Sequence, residues 1–183
     1  MKSSATLPGV IVALIAIAVG PYFTAPGYSS VTHAISELGA QGAPNSWIMN
    51  AGFFAYGLGV LIDAVRRLRT SPFVAVAFMV FGLAMIMNAV FSHRPIDHEL
   101  LYDVRADTLH SLFATVVGFS FTFGALAQSF IERYRWRRLC CYAAAAAAVI
   151  LPLGMLQFPG IQGVLQRLMF GISFAWLVVF LPK

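Results

Sequence analysis

Charge is the property this chain has least of. Charged side chains make up 10% of its 183 residues and hydrophobic ones 60%, whereas a water-soluble domain carries about 25% charged. The mean hydropathy is +0.81. Such a composition excludes a globular domain with a water-facing surface and makes the bilayer the natural solvent. Cysteine is nearly as scarce. The two present, Cys140 and Cys141, are adjacent and face the reducing cytoplasm on the topology below, which argues against a structural disulfide and leaves packing, or lipidation of one, as their use. Acids are fewer than bases, giving a formal charge of +5. That excess does not point to nucleic acid, because Arg66, Arg67 and Arg69, and then Arg133, Arg135, Arg137 and Arg138, sit in short connections between apolar runs. This is the pattern of cytoplasmic loops under the positive-inside rule, with attraction to anionic headgroups as a consequence. Also absent are HExxH, paired CxxC, GxSxG, a phosphate loop, a Rossmann fingerprint and a haem attachment motif, so no motif with a built-in mechanism assigns a reaction.

What is present is a series of apolar runs long enough to cross about 30 Å of hydrocarbon. They cover residues 7–24, 47–64, 72–91, 107–131, 139–156 and 161–181. Pro21 and the pair Pro26-Gly27 end the first run, Ser46 and Trp47 open the second, and the alanines of residues 143–148 favour close helix packing in the fifth. The expectation is an all-α polytopic membrane protein. It is a single domain over residues 1–183, a six-transmembrane-helix bundle with a short interfacial or re-entrant helix between helices one and two. Lys2 and Lys183 join the two arginine clusters on one side, so both termini are placed in the cytoplasm, of a bacterial plasma membrane. Asp63 pairs there with Arg66 or Arg67.

The opposite side collects the polar groups. All four histidines, His33, His93, His98 and His110, fall there, with Glu37, Asp97, Glu99, Asp103 and Asp107. Residues 29–40 form a polar island in which Ser29, His33 and Glu37 recur at every fourth position, one face of a helix of about two turns. Asn50, Asn88, Asp107, His110, Gln166 and Arg167 lie one to two turns inside the helix ends. Arg167 is roughly 9–10 Å below a helix start near Ile161. An arginine at that depth must face the bundle interior, snorkel or meet an anion, and Glu37 and Asp107 are the carboxylates to meet it. These positions predict an outward-facing polar cup roofed by residues 29–40. Within it His33, Glu37, Asp107 and His110 are candidate catalytic residues, as general acids, bases and an imidazole orienter. Asn50, Gln166 and Arg167 are candidate substrate-binding residues for an anionic headgroup or oxyanion. His33, His110 and Asp107 are the candidate ligands if a divalent metal such as zinc is present. Each also has an ordinary use: Asp107 as a helix cap, His110 bonded to a carbonyl, Glu37 and Arg167 as a latch for the roof. His93, Asp97 and His98 have a looser metal-ligand spacing and read as a solvated loop.

His33-Ala34-Ile35-Ser36-Glu37-Leu38-Gly39-Ala40, then Gly42-Ala43-Pro44 and Met49-Asn50, with Asp107, His110 and Gln166-Arg167 further on, resemble the motif region of domain-of-unknown-function family 998. These are mostly bacterial integral membrane proteins. The likeness covers essentially the whole chain and implies a six-helix fold. That family is similar in layout to the Frag1/DRAM membrane proteins, some tied to lipid remodelling. Ser29-x-x-x-His33 is also similar to an element of the ceramidase-like intramembrane hydrolases, which hold zinc. Their HxxxH pair and seventh helix are missing here. Two functions follow as expectations. One is a lipid- or amphiphile-directed hydrolase or acyl-transfer enzyme. The other is a non-catalytic scaffold or carrier that binds lipid or a small molecule, with membrane lipids or an anionic amphiphile as partners and a structural polar cluster.

Overall fold

A computed structural model of the protein describes residues 4–97 and 99–181. His98, Lys2 and Lys183, used above, lie outside the described residues. Six α-helices follow one another: α1 (Thr6–Val19), α2 (Trp47–Arg66), α3 (Pro72–Val90), α4 (Val104–Ile131), α5 (Arg135–Gln157) and α6 (Gln162–Phe180). The last five are long and apolar enough to cross a membrane. α1 has 14 residues and continues as a 3-10 turn, Gly20–Tyr22, together roughly 27 Å of rise. Among the described residues there is no strand. The protein is an all-α polytopic membrane bundle.

Three boundaries differ from the expectation: α5 starts at Arg135 rather than near Leu139, so that Arg135, Arg137 and Arg138 lie at the start of the helix and not in a connection, and the other two differ for local reasons. The helix read as starting at Asp107 starts at Val104, because the Asp103 carboxylate accepts the Arg105 and Ala106 N–H groups at 2.8 and 3.1 Å and so is the N-cap. Between α1 and α2 there is no two-turn α-helix but a five-residue 3-10 helix, Ile35–Gly39. Ser29, His33 and Glu37 therefore do not share a helical face.

Helices α2 to α6 follow one another through short connections and run antiparallel, and α1 runs antiparallel to α2, with Gly9 against Ala55 and Gly59 against Ala5. Inside, small residues set the spacing and aromatic rings fill the rest. A Cβ at Gly57 of α2 would stand 2.7 Å from the Gly82 carbonyl oxygen of α3, and a Cβ at Gly82 the same distance from that of Gly57. Only glycine at both positions allows this approach, as in other membrane helix pairs. Tyr56 and Phe78 are fully buried. Tyr56 meets Phe174 edge-on at 4.8 Å and Phe81 at 5.5 Å, while Trp176 lies 5.4 Å from Phe78 and stacks on Phe180 at 4.9 Å.

At the end of the bundle that carries the arginine clusters, not every arginine faces headgroups. Arg67 is 2% exposed. One terminal nitrogen donates to the Phe180 carbonyl at 2.7 Å and the other to Gln128 Oε1 at 2.5 Å, tying the ends of α2, α4 and α6 together. Gln128 donates in turn to Glu132, whose carboxylate is paired with Arg137 at 2.6 Å. Asp63 does pair with Arg66, at 3.0 Å, but it does more. Its carboxylate accepts the Ala5 and Thr6 N–H groups and the Ser4 and Thr6 hydroxyls at 2.8–3.1 Å. The start of α1 is thus capped from α2. Removing a buried acceptor of several bonds costs about 2–4 kcal/mol, and removing one exposed ion-pair partner about 0–1 kcal/mol. Asp63→Ala is therefore expected to lower the unfolding temperature in detergent far more than Arg66→Ala. Equal losses would show that the ion pair, not the cap, is what Asp63 supplies.

Candidate functional site

At the other end of the bundle the segment between α1 and α2 folds back over the start of α6. The fit requires Gly163: a Cβ there would lie 2.3 Å from the His33 carbonyl oxygen and 2.6 Å from that of Ser30. With that Cβ absent, the Gly163 N–H donates to the Val31 carbonyl at 3.0 Å. One turn along, Arg167 completes the attachment. Its Nη1 donates to the carbonyls of Ser30 (2.8 Å), His33 (3.2 Å) and Gly163 (3.0 Å), and its Nη2 to the hydroxyls of Tyr28 (2.6 Å) and Ser30 (3.3 Å). Burial pushes the Tyr28 phenol above its ordinary pKa, with Arg167 opposing. It is the neutral phenol that receives Arg167 and donates to the Ala34 carbonyl at 3.2 Å. Gln166 Oε1 accepts the Ile35 N–H.

The remaining residues of the island are also committed to main chain. Glu37 accepts the Ala34 N–H at 2.5 Å, the return half of a capping box on the 3-10 helix. His33 Nδ1 accepts the Ser29 N–H at 3.0 Å, which places the ring proton on Nε2. The ring stacks on Tyr28 at 5.4 Å. That tautomer does not suit zinc ligation through Nε2, for which the lone pair must be on Nε2 and the proton on the other nitrogen. Asn50 lies beneath the roof: a Cβ at Gly39 would meet its Oδ1 at 2.3 Å. Arg167 makes no ion pair with Glu37 or Asp107. The ion pairs among the described residues are Asp63–Arg66, His93–Asp107 and Glu132–Arg137.

Asp107 and His110 belong to a second group, around the loop before α4. Asp107 Oδ1 accepts the Arg94 N–H at 2.8 Å and lies 4.0 Å from His93 Nε2. His110, buried, holds the Phe91 carbonyl through Nδ1 at 2.7 Å, and its ring meets that of His93 edge-on at 5.5 Å. Among the described residues no three His, Cys, Asp or Glu side chains are placed to hold a metal ion, and no hydrogen bond, ion pair or ring contact joins His33 or Glu37 to Asp107 or His110. The two groups are linked instead by Gln41, a residue absent from the candidates above. Its N–H donates to the His93 carbonyl at 2.8 Å. Its side-chain amide donates to the Ser92 and Asp103 carbonyls at 3.1 and 3.0 Å and accepts the Asp103 N–H at 2.8 Å. A glutamine in a loop has no periodicity or spacing that would mark it.

Directly beside the roof, a cavity of about 500 Å³ opens among α4, α5 and α6, with Tyr56 and Phe81 at its back. Small residues leave the space: Gly118 on α4 and Ala144, Ala147 and Ala148 on α5. The alanine run expected to bring helices close borders a void on this face. Pro152, also on the wall, removes one α5 main-chain hydrogen bond. Thr115, Phe119, Val149 and Leu153 are both lining and exposed, so the cavity opens sideways between α4 and α5. Its hydroxyls are already occupied. Thr115 and Thr122 bond back to the carbonyls of Ser111 and Gly118, and Ser173 bonds to that of Phe170 and meets the Tyr56 hydroxyl at 3.1 Å. Gln166 is on the wall at the roof side.

If Arg167 works by gathering carbonyls, charge alone will not replace it. Arg167→Lys is expected to lose about 1–3 kcal/mol of stability. Amide exchange should rise at Gly163, Val164 and Ile35 in both that variant and Gly163→Ala. The double exchange Glu37→Arg with Arg167→Glu should not restore protection, and recovery would reveal an ion pair after all.

Residues 8–181 match the model of a family described as a protein of unknown function, DUF998. No curated protein and no solved structure matches the chain, and the layout likeness to the Frag1/DRAM proteins receives no support from these comparisons. With the match running over nearly the whole length of the six-helix bundle, the chain belongs to the DUF998 family.

Proposed function

We propose that this protein is a non-catalytic lipid-binding membrane protein, in which the cavity among α4, α5 and α6 receives the apolar chain of an amphiphile and the polar residues hold the roof beside it. The cavity carries this reading. Its volume of about 500 Å³ lies in the usual ~300–1,000 Å³ range of small-molecule sites. It opens toward the acyl region, and its wall has no Lys, Arg, Asp, Glu or His. The polar residues named as catalytic candidates are used on main-chain groups, so the geometry favours binding over hydrolysis. In the same reading the protein resides in a bacterial plasma membrane. The end with Arg66, Arg67, Arg69, Arg133, Arg135, Arg137 and Arg138 faces the cytoplasm, and the roof faces the other side. A cysteine placed at Pro44, in a chain freed of Cys140 and Cys141, is then expected to react with an impermeant maleimide added to intact cells.

Gly118 offers the test of the cavity. A Cβ there would meet nothing within 4 Å, and replacing a helical glycine by leucine favours the helix by roughly 0.5–1 kcal/mol. Gly118→Leu is expected to fold with undiminished thermal stability and to lose the lipid that co-purifies with the wild type, read by mass spectrometry of extracted lipids. The same lipid complement in both proteins would end the reading. The hydrolytic alternative would be supported by turnover of a lipid substrate that disappears in His33→Ala and His110→Ala.

A further inference from the structure

Gln166 lines the cavity and also holds the roof, and its orientation is fixed by its partner. The Ile35 N–H can only donate, so the amide atom facing it is the oxygen. The other atom, Nε2, carries two N–H groups and has no acceptor among the described residues. Elsewhere on the wall the side-chain hydroxyls are bonded within the bundle, as above. The cavity thus has an apolar body and, at the roof side, one uncommitted amide donor. The nearest cation does not add a charge to it. Arg167 is not part of the wall, and both its terminal nitrogens are committed to carbonyls and hydroxyls of the roof. A carboxylate or phosphate drawn into the cavity would lose its water without gaining a counter-charge, which is unfavourable. The cavity's volume of about 500 Å³ lies in the lower half of the ~300–1,000 Å³ range of small-molecule sites, room for one acyl chain rather than two.

From these observations we infer that the ligand is an uncharged single-chain lipid whose carbonyl oxygen accepts a hydrogen bond from Gln166 Nε2, a monoacylglycerol-like ester rather than a free fatty acid or a phospholipid. This assignment rests on the lipid-binding reading above and specifies it. It also differs from an anionic headgroup at Arg167: the arginine shapes the roof, and the neighbouring glutamine reads the ligand.

The test uses purified full-length protein in mild detergent, incubated with monoolein or with oleate and read by native mass spectrometry. Monoolein is expected to bind about tenfold more tightly than oleate, because both can accept the Gln166 bond but only oleate brings a charge that must lose its water. Gln166→Glu keeps an oxygen for the Ile35 N–H but places a carboxylate on the apolar wall, so Gln166→Met, uncharged and of similar size, is read beside it. Both variants should weaken monoolein about tenfold, with amide protection at Ile35 falling in Gln166→Met, which lacks the oxygen. Oleate binding equal to or tighter than monoolein, or monoolein binding unaffected by Gln166→Met, would overturn the assignment while leaving a lipid-filled cavity in place. If the wild type takes up neither probe, or Gly118→Leu takes up both as the wild type does, the cavity reading itself fails and the assignment with it.

Discussion

A main-chain amide or carbonyl outside a helix has no water to turn to inside a bilayer, and leaving it unpaired costs several kcal/mol. The few polar side chains of this chain are used largely to meet that constraint. Arg167 gathers the carbonyls of Ser30, His33 and Gly163 at one end of α6, and Arg67 gathers that of Phe180 at the other. Asp63 takes the free N–H groups at the start of α1, and Gln41 pairs with the main chain of the loop before α4. Glu37, Gln166, Asp107 and His110 each hold one main-chain group.

Seen this way, polar residues at membrane depth do not by themselves mark a catalytic centre. Their partners are close in space but are mostly N–H and C=O groups, which leaves little free chemistry. His33 illustrates the point: the same Nδ1 that a reaction would call on receives the Ser29 N–H. What remains open is a space rather than a constellation. The cavity exists because Gly118 and the alanines of α5 are too small to fill the gap beside α6, and Gln166 on its wall holds the Ile35 N–H of the roof.

Much of the architecture was legible from the order of residues. Apolar runs of 18 or so residues can only be spanning helices at this composition, and arginine connections alternate with them. The spans predicted for α2, α3, α5 and α6 fall within a few residues of the helices observed. That Arg167, six residues past an expected helix start, needs acceptors was likewise legible, but the acceptors are main-chain carbonyls and hydroxyls rather than the Glu37 and Asp107 carboxylates. Local chemistry was less legible. Asp103 rather than Asp107 caps α4, because both acids stand at plausible distances and only the backbone path chooses between them.

Composition and hydrophobic period, acting through the free energy of placing side chains in lipid, determined that this is a helical membrane bundle with a polar island, residues 29–40, at one end of it. Tertiary structure alone decided which acceptors Arg167 and Arg67 meet, that His33 and His110 belong to separate clusters, and that a cavity lies beside α6. Those outcomes depend on how closely helices approach, and approach is set by pairs such as Gly57 and Gly82 or Gly163 and the roof, whose members are far apart in the chain.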